Sequence, residues 1–437
     1  MANSDSSNSS NSSDGNNSSS SVRGRGGGGS KSIILDLVLK HEGYRRRCIN
    51  LIASENVTSH AVRVLLSSDL MHRYSLRMFA DNSNFYRGTR YIEQVVEYAD
   101  SIARELFDAR YADVRPISGH LCSLAVLMHL SRSYDSIMVL SMDAGGYPGY
   151  MNEYMPSRFM LKVHSIPYDH ANMCIDVDAC IARIQELKPR LVIIAPSVIT
   201  FHTPLEGIAR ACRDVGSMLV YDASHLLGLV AGDAFPNPLD EGASILMGST
   251  HKSLPGPQGG LILADRDDGY GLGDNIQLRV IDNPHFNRIA ALALALEEML
   301  AFGRDYAMQV VRNAKALAKA LDEYGVEVRK RARDGQYTET HQVLLNLKHE
   351  HRDRLVRVLE DVNIIVDSML RLGTCEVTRR GMKEDEMKSI AEMISSIYHV
   401  LDEDRAKQEN VINKIKKDVE YLTSRFDSIH YSFTPLA

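Results

Sequence analysis

Five short stretches of the chain are apolar at nearly every position rather than at every second one. They read SIMVL (136–140), RLVIIAPS (190–197), SMLVYDAS (217–224), ASILMGS (243–249) and GGLILAD (259–265). Each is rich in Val, Ile or Leu and is bounded by polar or turn-forming residues. Strands covered on both faces carry this pattern, whereas half-exposed strands alternate. Helical stretches separate the runs between about residues 60 and 300. The prediction is an α/β fold with a mostly parallel central sheet flanked by helices.

The pattern changes on either side of that region. Residues 32–47, SIILDLVLKHEGYRRR, predict an amphipathic helix. Residues 288–325 predict one long helix leading out of the sheet. HQVLLNL (341–347) and DVNIIVD (361–367) predict two further strands with helical sequence around them, a smaller α/β unit. The charge-rich stretch 383–426 predicts helix. Residues 1–31 are Ser, Asn and Gly with almost no apolar side chains, so burial cannot offset the entropy of ordering them and a disordered tail is expected. The expected organisation is this tail, an N-terminal helical arm at 32–60, a large domain at 61–300 and a smaller C-terminal domain with a helical extension at 301–437.

Composition narrows the function class. At 44% hydrophobic and 24% charged residues, the chain can bury a sizeable core. A net charge of −6 argues against a nucleic-acid binder, whose footprint would be basic. The cysteines are scattered without a CxxC pair, which points to free thiols rather than a metal knuckle or disulfide framework. No metal site is expected. No apolar run reaches the ~20 residues needed to span a bilayer, and no signal-like core is seen. A cytoplasmic enzyme acting on a small molecule, with no membrane partner, is the expectation.

The chemistry concentrates at strand ends, where open α/β sheets bind ligands. One run ends at Ser197. The next ends YDASH, giving Asp222 and His225. The third ends GSTHK, giving Ser249, His251 and Lys252. A loop lysine is commonly a solvated charge, and a strand-end aspartate is commonly a helix cap. Both on successive apolar strands suit pyridoxal phosphate: the lysine amine condenses with the aldehyde, and the aspartate keeps the pyridine nitrogen protonated. VRPISGHLCSLAVLMHL (114–130) offers Ser118 and Gly119 at a helix start, either a phosphate site or an ordinary cap.

These segments resemble the serine hydroxymethyltransferase family of fold-type-I pyridoxal phosphate enzymes. The resemblance rests on NLIASENVTS (50–59), YRGTRYIE (86–93), RPISG (115–119), YDASHLLGLVAG (221–232), STHKSLPGPQGG (249–260) and LGTCEVTRRGM (372–382), in the family's order, over about residues 32–400. The wording of the last two is most similar to the archaeal branch. The resemblance implies that Lys252 holds the cofactor beside His251 and Asp222 pairs with the pyridine nitrogen. His225 would lie near the phenolic oxygen, Ser197 and Ser249 in the pocket, and Ser118 and Gly119 at the phosphate. Ser54 and Arg380 would clamp the substrate carboxylate. Tyr74 and Tyr86 would reach in from a neighbouring subunit, so a homodimer with a shared site is implied.

The chain departs from the family on the substrate side. Within RYSLRMFADNSNFYRG (73–88), Leu76 stands where the family has a glutamate, and the loop to Tyr86 is longer by two residues. Asp81 is the only carboxylate inside that loop. Leucine cannot move a proton, which leaves His251, Tyr74 or a water for that step. In SMDAGGYPGY (141–150), Tyr147 stands where a histidine covers the cofactor ring. His120 replaces a small residue, and VIDNPHF (280–286) replaces a proline–glycine turn. Three readings follow: a serine–glycine hydroxymethyltransferase using a tetrahydropterin, a pterin-independent threonine-type aldolase or transaldolase, or a catalytically weak homologue with a binding role. The retention of Lys252, Asp222 and Arg380 argues against the third.

Overall fold

The computed structural model describes residues 32–78, 83–277 and 279–434; the tail 1–31 and Asp81 lie outside the described residues. The chain divides into two compact units, Met1–Tyr44 and Arg45–Ala437. The helix Ile33–Arg46 forms as expected, but it buries none of its residues. Its apolar positions Ile33, Ile34, Leu35, Leu37, Val38 and Leu39 follow one another too closely to share one face, and all are exposed.

The second unit is built on a seven-stranded sheet. In chain order its strands are β1 (Tyr111–Asp113), β2 (Ser136–Val139), β3 (Lys162–Ser165), β4 (Leu191–Ile194), β5 (Met218–Asp222), β6 (Ile245–Ser249) and β7 (Gly260–Ala264). In space they run β1-β7-β6-β5-β4-β2-β3. Every neighbouring pair is parallel except the two made by β7, which is antiparallel to both β6 and β1. The five apolar runs are the β2, β4, β5, β6 and β7 strands. β4 shows why: Leu191 and Ile193 enter the core on one face, and Val192 and Ile194 the core on the other. Burial of such a side chain stabilises by about 1.5–3 kcal/mol, so both faces select apolar residues.

A second core gathers residues 314–422 with Ile49 and Leu51. The expected strands of this region exist but do not pair with each other. Gln342–Leu344 pairs antiparallel with Arg371–Gly373, and Ile364–Ile365 pairs parallel with Ile49–Asn50. One helix, Phe286–Glu323, serves both cores: Leu292, Leu296 and Val310 face the first, Ala314, Leu317 and Leu321 the second. Its 38 residues span roughly 57 Å at 1.5 Å per residue.

That helix also carries a buried ion pair. Glu298 and Arg379 are 0% and 1% exposed, with Oε2 and Nη2 2.5 Å apart. Arg379 also donates to the Tyr431 carbonyl, the His430 amide donates to the Arg379 carbonyl, and the Phe433 amide reaches Glu298 Oε1 at 3.3 Å. Removing one partner of such a pair strands a buried charge, which typically costs about 3–5 kcal/mol. Glu298→Ala is therefore expected to destabilise by about that amount in denaturant melts, whereas an exposed pair such as Arg405–Glu409 should contribute under about 1 kcal/mol.

Candidate functional site

The parallel strands β4, β5 and β6 end at one edge of the sheet, and a cavity of about 190 Å³ opens there. Its lining includes Ser197 after β4, Asp222 and His225 from the end of β5, and Ser249, His251 and Lys252 from the end of β6. Ser118, Gly119, His120 and Tyr147 complete the wall. The predicted lysine and aspartate thus lie on adjacent parallel strands and share one cavity.

Gly119 opens the helix Gly119–Leu130, and Ser118 is its N-cap, its Oγ accepting from the Leu121 amide at 3.1 Å. A Cβ at position 119 would lie 2.4 Å from Ser249 Oγ and 3.0 Å from the Ser249 amide. Only glycine lets this helix start approach the end of β6 so closely. Helix N-termini present unpaired amides and positive potential, so this wall of the cavity suits a phosphate.

Asp222 is fully enclosed. Its Oδ1 accepts from the Ser224 amide at 3.0 Å and from Ser224 Oγ at 2.6 Å, while among the described residues Oδ2 has only a 3.5 Å contact with Ser123 Oγ. Burial raises its pKa above the usual carboxylate range, against the Ser224 hydrogen bonds and the Lys252 charge. One carboxylate oxygen is therefore held and the other is underused, as a cationic ring nitrogen would require. Burial lowers the Lys252 pKa, with Asp222 opposing and Arg371 reinforcing the shift. A less protonated amine is the reactive form for an aldehyde. Asn56 Nδ2 donates to the Lys252 carbonyl at 2.7 Å, and Tyr306 Oη donates to the next carbonyl, Ser253, at 2.9 Å. The lysine loop is thus fixed from behind.

Two histidines share the cavity with the amine. His225 Nε2 lies 3.4 Å from Lys252 Nζ. His251 Nδ1 is buried with no partner among the described residues, and burial plus the Lys252 charge hold its pKa at about 4. It is neutral near pH 7 and free to accept a hydrogen bond. Tyr147, one departure from the family pattern, contacts another: its Oη is 2.9 Å from His120 Nδ1. Burial and the Asp222 charge raise the Tyr147 pKa, so the phenol stays protonated.

Ser54 and Arg380 do not line this cavity. They lie in two segments tied together by Asn50, whose Nδ2 is 2.9 Å from Glu55 Oε2 and 2.5 Å from Glu376 Oε2. Glu376 Oε1 in turn accepts from Arg380 Nε and Nη2 at 3.1 and 3.0 Å. Tyr74 and Tyr86 do not line it either. Their rings pack 5.5 Å apart and remain 53% and 37% exposed. Leu76 lines a separate cavity with Glu93, Asp100 and Asp113. Sequence reading missed Ser123, Ser224, Arg371 and Gln342. The signal for Gln342 was a polar residue at the head of an apolar strand run.

A phosphate-ready helix start, a buried carboxylate and a buried amine in one cavity describe a site for pyridoxal phosphate. The family profile of serine hydroxymethyltransferase matches residues 30–394. The chain belongs to the serine hydroxymethyltransferase family. It is 38% identical to the serine hydroxymethyltransferase of Methanocaldococcus jannaschii, over 92% of this chain and 96% of that one. It is 37% identical to that of Pyrococcus abyssi, again over 92% and 96%. Among solved structures it resembles an L-threonine transaldolase from Pseudomonas fluorescens in its internal aldimine state, with a TM-score of 0.82 and 26% identity over 92% of this chain and 93% of that one. This serine hydroxymethyltransferase relative has the fold-type-I architecture and is a pyridoxal-phosphate-dependent enzyme that makes or breaks a Cα–Cβ bond. Among the described residues, no helix is long and apolar enough to cross a membrane.

Proposed function

We propose that the protein interconverts a β-hydroxy-α-amino acid and glycine, passing the aldehyde or one-carbon unit to a second substrate, as a serine–glycine hydroxymethyltransferase. The observation that carries this reading is the convergence of Lys252, Asp222 and the Gly119 helix start on one cavity. When bound, pyridoxal phosphate supplies an electron sink for the pair released from the Cα–Cβ bond.

The residues divide the remaining work. Lys252 would hold the cofactor through its amine, and Asp222 would balance a protonated ring nitrogen. The Gly119 and His120 amides, with Ser118, would hold the phosphate. Tyr147, its hydroxyl held by His120, would pack against the ring. Ser197, Ser249 and His225 line the remaining edge. Ser54 and Arg380, which lie outside the cavity lining, would take the substrate carboxylate beyond its rim, where a planar guanidinium gives two parallel hydrogen bonds. Glu376 already orients that guanidinium. His251, neutral and unpartnered, accepts the hydrogen bond of the β-hydroxyl. Tyr74 and Tyr86 serve the site of a second subunit in a cytoplasmic homodimer, which accounts for aromatic side chains left exposed and outside this chain's own cavity.

A second reading has its own support. Leu76 offers no proton, and a transaldolase shares the fold. On this reading the enzyme is a pterin-independent aldolase or transaldolase for threonine-like substrates. Glycine release separates the two. The first predicts that a tetrahydropterin accelerates glycine release from L-serine by about tenfold or more, a barrier change of at least about 1.4 kcal/mol. Threonine cleavage that is faster than serine cleavage and indifferent to pterin would replace it with the second.

A further inference from the structure

Gln342 heads the strand Gln342–Leu344, and its side chain is completely buried. Its amide meets three groups. Oε1 lies 3.0 Å from the Ile199 amide nitrogen. Nε2 lies 3.2 Å from the Ser197 carbonyl oxygen and 3.3 Å from His225 Nδ1. Side-chain amides are ambiguous by shape alone, but the two backbone groups remove the ambiguity here. The Ile199 N–H can only donate and the Ser197 carbonyl can only accept. A flipped amide would set N–H against N–H and oxygen against oxygen. Nε2 therefore faces His225, and as a donor it requires a lone pair on Nδ1.

The consequence passes through the imidazole. With Nδ1 accepting, a neutral His225 carries its proton on Nε2, the atom 3.4 Å from Lys252 Nζ. That N–H faces the lone pair of the amine, and the Ala53 carbonyl is a second acceptor beside the ring. The surroundings disfavour the alternative, a charged imidazolium. Arg371 is the permanent cation facing His225, His341 stacks on it at 6.0 Å and 11°, and Asp222 acts on the Lys252 side. Burial holds the His225 pKa well below its usual value, a proton on Lys252 would lower it further, and the Arg371 charge acts in the same direction. His341 adds no charge, since burial lowers its own pKa to about 3.

We propose that Gln342 is a positioning residue that locks His225 as the Nε2–H tautomer and thereby keeps the Lys252 amine an acceptor, unprotonated and ready to capture an aldehyde. The assignment rests on Lys252 as the cofactor lysine, yet it can be read in the cofactor-free protein. In wild-type protein labelled with ¹⁵N-histidine, the His225 resonances, assigned by their loss in His225→Asn, should show a bare Nδ1 and a protonated Nε2. Gln342→Met keeps the length and removes the donor. It should raise the Lys252 pKa, read by competitive acylation and mass spectrometry across pH, by about one unit. That makes the lysine about tenfold less reactive at any pH below its pKa. Gln342→Glu replaces the donor with an acceptor and should place a proton on Nδ1. A protonated Nδ1 in wild type overturns the proposal. So does an unchanged Lys252 pKa in a Gln342→Met protein with a native melt. Should Gln342→Met fail to fold, the wild-type tautomer still decides. Incubation with pyridoxal phosphate separates the two layers: capture at Lys252 with Nδ1 protonated defeats only the tautomer lock, whereas no capture defeats the cofactor reading itself.

Discussion

Replacing Lys252 with alanine is expected to abolish covalent capture of pyridoxal phosphate and to lower kcat by on the order of 10⁴-fold or more. The wild-type protein, loaded with the cofactor, should absorb visible light and retain it on position 252 after borohydride reduction. The variant should do neither. The size of the effect follows from the wall around the amine. Burial lowers the Lys252 pKa, and Asn56 and Tyr306 pin the backbone of its loop. Among the described residues, no second lysine lines the cavity to take its place. A Lys252→Ala protein that still trapped the cofactor irreversibly would show that another amine does the work.

Asp222→Asn should be the second most damaging change for activity, and the more instructive one for stability. The variant keeps the volume and a hydrogen-bonding oxygen but loses the charge that would balance a protonated ring nitrogen. A loss of on the order of 10³-fold in kcat is expected, of the size seen when a single preorganised electrostatic contact is removed. In the cofactor-free protein the sign reverses. The folded pKa of Asp222 is raised, so the folded state binds its proton more tightly than the unfolded chain does. Its contribution to stability is greatest below the unfolded carboxylate pKa of about 4, and falls as pH rises through the folded pKa. At neutral pH the buried carboxylate is therefore a burden that asparagine lacks. Cofactor-free Asp222→Asn should melt at or above the wild-type temperature at pH 7, with the difference shrinking at pH 4. A variant that melts lower at pH 7 and keeps its activity would place the aspartate in a structural role instead.

The sheet was legible in the sequence where both faces are covered. β2, β4, β5, β6 and β7 announced themselves as unbroken apolar runs, because alternate residues enter different cores. β1 and β3 did not. They are the edges of the sheet, and Lys162–Ser165 has no fully buried residue to betray it. The two-residue strands at 49–50 and 364–365 are too short for any periodicity. The helix at 33–46 was legible as a helix, but it buries none of its side chains.

The site was legible to a similar depth. Asp222, His225, Ser249, His251 and Lys252 follow strand ends, and topology gathers strand ends. Gln342 could not be placed, since it meets His225 across 117 positions of chain. The His120–Tyr147 contact was hidden for the same reason. Each residue read alone was an isolated oddity, and only the fold shows that they touch. Ser54 and Arg380 were named through resemblance, and the structure adds the carboxylates of Glu55 and Glu376 that join their segments through Asn50.

The stretch from His430 to Phe433 has a practical consequence for deletion mapping. It clasps Arg379, whose neighbour is the guanidinium assigned to the substrate, and His430 packs against Gly381 on the other side. Trimming those few residues, or crowding them with a purification tag, would mimic an active-site lesion while leaving every reacting group in place.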